Sequence, residues 1–175
     1  MGITTKRGDE GMTDLLFGGS VPKTHLQVEA LGMVDELNAF LGFVRVTVEG
    51  EVGDLLDRIQ ATLVTLMGEV ATPEHALDRY ESSSFGRVSK EDVTFLEENA
   101  AAYDEARALK RWLRPGSAGG EVAARLHLAR TVARRAERSL WALPEAIARK
   151  PARLFLNRLS DLLWLLARAV EEAKN

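Results

Sequence analysis

Apolar residues recur at every third or fourth position in five separated stretches, and between them the chain turns polar or glycine-rich. Over 28–48 the repeat is carried by Leu37, Leu41, Val44 and Val48, and over 52–70 by Leu55, Leu56, Ile59, Leu63, Leu66 and Met67. Each set forms one face of an amphipathic helix. Thr72-Pro73 halts the second helix, because proline pushes the residue before it out of the helical region. Ser89, with Asp92 close behind, can cap a third helix over about 90–110. The run from Pro115 to Gly120 breaks the chain again. A fourth helix spans 121–142, and Pro151 suits the first turn of a fifth that runs to 173. Residues 74–89 read as a polar loop, no strand pattern stands out, and the glycine-punctuated residues 1–25 read as a loop arm. The expectation is an all-α fold: a five-helix bundle over 28–174 preceded by the arm, in one domain spanning 1–175.

Composition narrows the classes of function. A chain of 175 residues can bury one sizeable core, and a net charge of −3 argues against general nucleic-acid binding. The absence of cysteine excludes disulfides and thiolate metal sites. His25, His75 and His127 lack ligand spacing, so no protein-built metal site is expected. No apolar run has membrane-spanning length and the N-terminal residues contain no apolar signal core, so the reading is a cytoplasmic protein without membrane or nucleic-acid partners.

Against that acidic balance, Arg130, Arg134, Arg135 and Arg138 crowd one stretch of the fourth helix. Arg130, Arg134 and Arg138 fall within about 80° of one another, with His127 in the same sector and Glu137 at its border. Like charges four residues apart destabilise a helix by about 0.2–0.5 kcal/mol per pair, so the stripe needs an anion to face. That anion is either the carboxylates of a solvated, salt-bridged face or a polyphosphate, whose oxygens match the planar guanidinium fork. The arm offers a second cationic group. Thr5, Lys6, Arg7 and Thr13, interleaved with Gly8, Asp9 and Gly11, can surround an anion with side-chain donors and backbone amides, or can be a plain flexible tail. It is not a Walker A loop. In the fifth helix Asn157, Asp161, Trp164 and Arg168 align within about 60°, opposite the apolar arc. Asn157 can read a base or ribose and Asp161 can orient an arginine; equally, Asp161 and Arg168 can be ordinary surface residues. Asp35 lies opposite the apolar arc of the first helix and, if covered, needs an arginine partner.

The segments T-K-R-G-D-E-G-M-T (5–13), L-F-G-G (16–19), V-E-A-L-G-M-V-D-E-L-N (28–38), A-T-P (71–73), R-P-G-S (114–117), L-H-L-A-R-T-V-A-R-R-A-E-R (126–138) and N-R-L-S-D (157–161) occur in a telling order and spacing. Together they resemble the PduO-type ATP:cob(I)alamin adenosyltransferases, also called corrinoid adenosyltransferases. The resemblance implies transfer of the 5′-deoxyadenosyl group of ATP to the Co(I) of a reduced corrinoid, with release of triphosphate. It also implies magnesium on the ATP phosphates and a homotrimer with sites at the subunit interfaces. A reductase and an adenosylcobalamin-dependent enzyme are the implied functional partners.

Carried onto this chain, the resemblance gives Thr5, Lys6, Arg7, Gly8, Asp9, Thr13 and Lys23 as ATP contacts from the arm. Arg134, Arg135, Glu137, Arg138 and Asn157 are those from the helices. Arg134 and Arg135 are the catalytic side chains at the triphosphate, and Asp35 with Arg130, an interface salt bridge, are counted with them. Trp112 stands where the family has the phenylalanine that closes the lower face of the corrin. The segment from His25 to Gly32 departs from the family's D-P-R-V-E-A-Y-G, losing an arginine at Gln27 and a tyrosine at Leu31, and Thr4 stands where a tyrosine is usual. The competing readings are a non-catalytic ATP-binding trimer acting as nucleotide sensor or corrinoid carrier, and transfer to a non-corrinoid acceptor or a scaffold with a vestigial site.

Overall fold

A computed structural model describes residues 4, 6–104 and 113–173. The chain begins with a hairpin of two short antiparallel strands, β1 (Met12–Asp14) and β2 (Ser20–Pro22), with Thr13 opposite Val21. Helices α1 (Leu26–Arg45) and α2 (Glu51–Val70) follow. After a single 3₁₀ turn (Glu74–Ala76) come α3 (Leu77–Glu81), α4 (Lys90–Asp104), α5 (Gly120–Trp141) and α6 (Lys150–Ala173).

The five long helices follow the apolar period. His25 caps α1, its Nδ1 accepting from the Gln27 N–H at 3.3 Å. The helix stops at Arg45, short of the expected 48, where the β-branched run Val46-Thr47-Val48 favours a turn closed by Thr47 on the Val44 carbonyl. Ser89 and Asp92 cap α4 reciprocally: the Ser89 N–H and hydroxyl both donate to Asp92 Oδ2 at 2.9 Å, and the Asp92 N–H returns to Ser89 Oγ. The expected continuation of this helix over 105–110 lies outside the described residues. Helix α6 is the central element, packed on α5 along one side and α4 along the other, while α1 lies between α2 and α5. Its Ala152, Phe155, Leu156, Leu159, Leu162, Leu163, Leu165 and Leu166 are all buried, an arc too wide for a surface helix.

Two expectations fail. The arm is not wholly loop, since Met12–Asp14 and Ser20–Pro22 pair; strands of three residues give too short an alternation to read. Residues 74–89 are not simply a polar loop either. They form the 3₁₀ turn and α3, with Tyr80 and Val88 fully inside. Polar residues dominate this segment, but one tyrosine and one valine suffice to seat it.

Buried polar side chains then tie helix ends together. Gln27 Nε2 donates to the carbonyls of Val70 (2.6 Å) and Thr72 (2.7 Å), satisfying the C-terminus of α2 from the first turn of α1. Arg125 Nη1 reaches the Phe43 carbonyl at 2.6 Å near the end of α1, and its guanidinium lies over the Phe43 ring. Glu69, on α2 and almost fully inside, accepts from the Val88 N–H and faces Arg149 at 3.5 Å and Arg87 at 3.9 Å. Burial pushes this carboxyl above its ordinary 4.5, while the Val88 N–H and the two arginines pull it part of the way back.

A carboxyl whose folded-state pKa is raised favours folding most when protonated in both states. Its contribution is therefore fully present below about pH 4.5 and is lost as pH rises through the folded pKa. Glu69→Gln keeps an acceptor for Val88. Its denaturant midpoint should fall less than the wild type's as pH rises above 4.5, a difference read by urea titrations across that range.

Candidate functional site

On the arm side, the chain from Lys6 to Lys23 folds back on itself through closely spaced turns. The Asp9 N–H meets the Lys6 carbonyl at 3.3 Å, the Gly11 N–H meets the Gly8 carbonyl at 3.2 Å, and the Lys23 N–H meets the Gly11 carbonyl at 2.8 Å. Glycine at position 8 lets Lys23 fold close over it, since a Cβ there would stand 2.9 Å from Lys23 Nζ and displace the end of that flexible side chain. The ammonium therefore lies against bare backbone. Arg7, Gly8, Met12, Thr13, Asp14, Ser20 and Lys23 line an open cleft of about 500 Å³. Arg7 touches Asp14 only at 3.9 Å, with both side chains exposed, a pairing that a stronger anion can displace. Lys6 and Asp9 are exposed in the same turn, and Thr5 lies outside the described residues.

On the helix side the arginine stripe separates into parts. Arg134 and Arg138 are exposed and make no ion pair among the described residues; Arg138 Nη1 donates to the Arg134 carbonyl at 3.1 Å. Beside them, Glu137 Oε1 accepts from Asn157 Nδ2 at 3.3 Å. Asn157 Oδ1 in turn accepts from Arg158 Nη1 at 2.6 Å, and Arg158 Nε donates to Glu97 at 2.7 Å. This chain crosses α5, α6 and α4 and orients the Asn157 amide from both ends. Arg135 points elsewhere: it is paired to Glu36 on α1, with Nε 3.1 Å from the Met33 sulfur. Glu137 is thus not the sole acidic group serving the stripe.

His127 does not belong to the exposed stripe. It is buried, with Nε2 3.1 Å from Glu171 Oε1 on α6. Arg168, open to a reading as a surface residue, is also buried, paired to Glu171 at 2.8 Å and Glu172 at 3.2 Å. The physical reason is that the C-terminal turns of α6 cover one end of the sector and leave the other open. Asp161 is exposed and Trp164 half-buried. Asp35 is exposed and Arg130 half-buried, and the two make no ion pair with each other or with any other residue among those described. The Arg130 Nε is enclosed without a hydrogen-bond partner.

Trp112 lies outside the described residues. The turn that follows it is seated on α6: Gly119 has φ +71°, and a Cβ there would meet the Ala123 Cβ at 2.6 Å and the Glu171 backbone at 3.0 Å. Four residues that shape the site were missed by sequence reasoning, namely Gln27, Glu36, Arg158 and Glu171. Two of them had a signal: Arg158 in its place next to Asn157, and Gln27 in its departure from the family's arginine. No hydrogen bond or ion pair among the described residues joins the arm to Arg134, Arg138 or Asn157.

Fold and site together define a helical bundle that presents cationic groups on two separate faces, one on a hairpin arm and one on a long helix. A family model described as cobalamin adenosyltransferase matches residues 3–170. A corrinoid adenosyltransferase of Bacillus subtilis is 39% identical over 173 residues, covering 97% of this chain and 86% of the relative. The corrinoid adenosyltransferase PduO of Salmonella typhimurium is 42% identical over 176 residues; the match takes in 97% of this chain but 49% of that longer protein. Among solved structures, a variant PduO-type ATP:corrinoid adenosyltransferase from Lactobacillus reuteri, complexed with cobalamin and ATP, superposes with a TM-score of 0.81 at 30% identity. That match covers 98% of this chain and 91% of that one. The chain belongs to the cobalamin adenosyltransferase family.

Removing one member of the buried ionic cluster tests what it contributes to the stability of the bundle. Glu171→Ala leaves the Arg168 charge and His127 without their shared carboxylate inside the protein, and should cost about 3–5 kcal/mol of stability. Chemical denaturation of the variant measures this directly.

Proposed function

We propose that this chain is a corrinoid adenosyltransferase, one domain that transfers the 5′-deoxyadenosyl group of ATP to the Co(I) of a reduced corrinoid. In the reaction, the Co(I) lone pair attacks C5′ of ATP. A cobalt–carbon bond forms, the C5′–oxygen bond breaks, triphosphate leaves with the bonding pair, and cobalt ends as Co(III). The nucleophile comes with the corrinoid, so the protein's tasks are positioning and charge stabilisation.

The observation that carries the reading is the pair of exposed guanidiniums of Arg134 and Arg138, without an ion pair among the described residues, beside the oriented amide of Asn157. An anion of several charges is the natural partner for that face, and a triphosphate becomes more negative at its terminal oxygen as it leaves. Arg135 contributes from the α1 side, its charge shared with Glu36. Lys6, Arg7, Gly8, Asp9, Thr13 and Lys23 hold the nucleotide from the arm, together with Thr5. Among the described residues no group of three or more histidine or acidic side chains could hold a metal ion. The family resemblance implies magnesium on the phosphates of ATP, with Glu137 the carboxylate of that face. Trp112 is the residue assigned to the lower side of the corrin.

Among the described residues no hydrogen bond or ion pair joins the arm to the arginine face, and a homotrimer that apposes the arm of one subunit to α5 of the next would bring them together. Support comes from Asp35 and Arg130, which make no ion pair among the described residues, and from Phe43 (48% exposed) and Leu128 (45% exposed) on the same two helices. No described helix is long and apolar enough to cross a membrane.

Multiple rounds of ATP-dependent adenosylation of cob(I)alamin under reducing conditions are expected; stoichiometric retention of ligand without turnover would instead indicate a sensor or carrier. Arg134→Ala should weaken ATP binding about 10- to 100-fold, the range for losing charge-assisted hydrogen bonds, with stability changed by less than about 0.5 kcal/mol. Calorimetric titration with ATP and a melting curve separate the two effects. For the assembly, Arg130→Asp should dissociate the trimer, and adding Asp35→Arg to the same chain should restore it, as read by sedimentation.

A further inference from the structure

The tip of the hairpin, residues 15–19, carries more constraint than a connecting turn needs. Gly18 (φ +99°) and Gly19 (φ +97°) supply positive φ at no steric cost, yet Phe17 also has φ +64°. A bulky side chain rarely takes that conformation, and it persists only where surroundings hold it. The surroundings here are aromatic. The Phe17 ring meets Tyr80 edge-on with centroids 6.4 Å apart and Phe85 at 6.2 Å, while Tyr80 and Phe85 stack on each other at 5.8 Å. The Arg79 guanidinium lies 4.6 Å above the Phe17 ring. On either side of Phe17 the tip is fastened again: the Leu16 N–H donates to the Ala71 carbonyl at 2.9 Å, and His75 Cε1 would stand 3.3 Å from a Cβ on Gly19. The bed is itself rigid, because Tyr80 is buried and its hydroxyl donates to the Gly86 carbonyl at 2.7 Å.

We propose that this clamp, with Phe17 at its centre, makes Phe17 and Arg79 positioning residues for ATP; the proposal rests on the arm being the nucleotide-binding segment. A two-stranded hairpin is marginally stable by itself, so its direction is set by where its tip is fastened. The two strands, about 10 Å long, carry that constraint along the cleft, from Asp14 and Ser20 next to the tip, past Thr13, to Gly8 and Lys23 beyond the far end. Neither Phe17 nor Arg79 lines the cleft. Releasing the clamp leaves every cation present but unplaced, and ATP must then order the arm as it binds.

The test is steady-state kinetics of the assembled enzyme with ATP and cob(I)alamin. Phe17→Ala should raise KM for ATP about tenfold, with kcat and the corrinoid KM within about twofold of wild type. Phe17→Tyr, which keeps the ring, should restore the wild-type KM. Arg79→Ala, at an exposed position that cannot unfold the bundle, should raise the same KM by a smaller factor. Equal changes in both KM values, or no change with Arg79→Ala and Phe17→Ala, would overturn the clamp. Lys23→Ala serves as the reference: if it raises the ATP KM while Phe17→Ala does not, only the clamp fails. If none of these variants moves that KM, the arm is not the nucleotide site and both readings fall.

Discussion

The packing of α5 along α6 is the contact from which the rest of the site follows. It buries Ala129, Val132, Ala133 and Ala136 of α5, mostly residues small enough to bring the two helices close. At that approach Asn157 comes within hydrogen-bonding distance of Glu137, and Glu171, paired to Arg168 within α6, reaches His127. One register thus does two things. It covers the N-terminal part of the α5 polar sector with the end of α6, and leaves Arg134 and Arg138 in the open. A slip of one turn between the helices would bury charge at one end and strip Asn157 of its orientation at the other.

Polar side chains set the attachment of everything peripheral to that pair. Gln27 fixes the end of α2, Glu69 fixes residues 87–88 and Arg149, and Arg125 fixes the end of α1. Each satisfies backbone groups or charges that the apolar core cannot, and each penalises alternatives by leaving buried groups unpaired. Apolar packing specifies the bundle, whereas these bonds specify how the arm-bearing end of α2 is presented. The Gln27 position is telling: the family pattern has arginine there, and in this chain the amide is turned inward to the Val70 and Thr72 carbonyls.

Legibility in the sequence followed the range of the interaction. The long helices were readable because their period repeats over several turns, and the Ser89–Asp92 cap because it is local. The hairpin was not, because three-residue strands carry almost no alternation and the tip conformation at Phe17 depends on rings more than sixty residues away. The segment over 74–89 looked like a loop since few of its residues seat it, chiefly Ala76, Tyr80 and Val88. For the site, the arginines could be listed but not sorted. Helical angle places His127 and Arg130 in one sector, and only the neighbouring helix decides that His127 is covered. Likewise Glu36 claims Arg135 from another helix, which no spacing along α5 foretells.

Division of the charges has a consequence for how binding and assembly relate. Within a subunit, Arg135 is neutralised by Glu36 and Arg168 by Glu171, while Arg134 and Arg138 are left to repel each other on one face. Such repulsion is weak in water, where each exposed pair is screened, and it strengthens as solvent is excluded. In the proposed trimer, closing without nucleotide would move these charges toward the cations of a neighbouring arm, an unfavourable approach that the proposed Asp35–Arg130 contact must outweigh. Triphosphate between the two faces reverses the sign. In that proposed assembly the same anion serves as ligand and as part of the interface, so tighter assembly and tighter ATP binding would be linked by thermodynamic reciprocity.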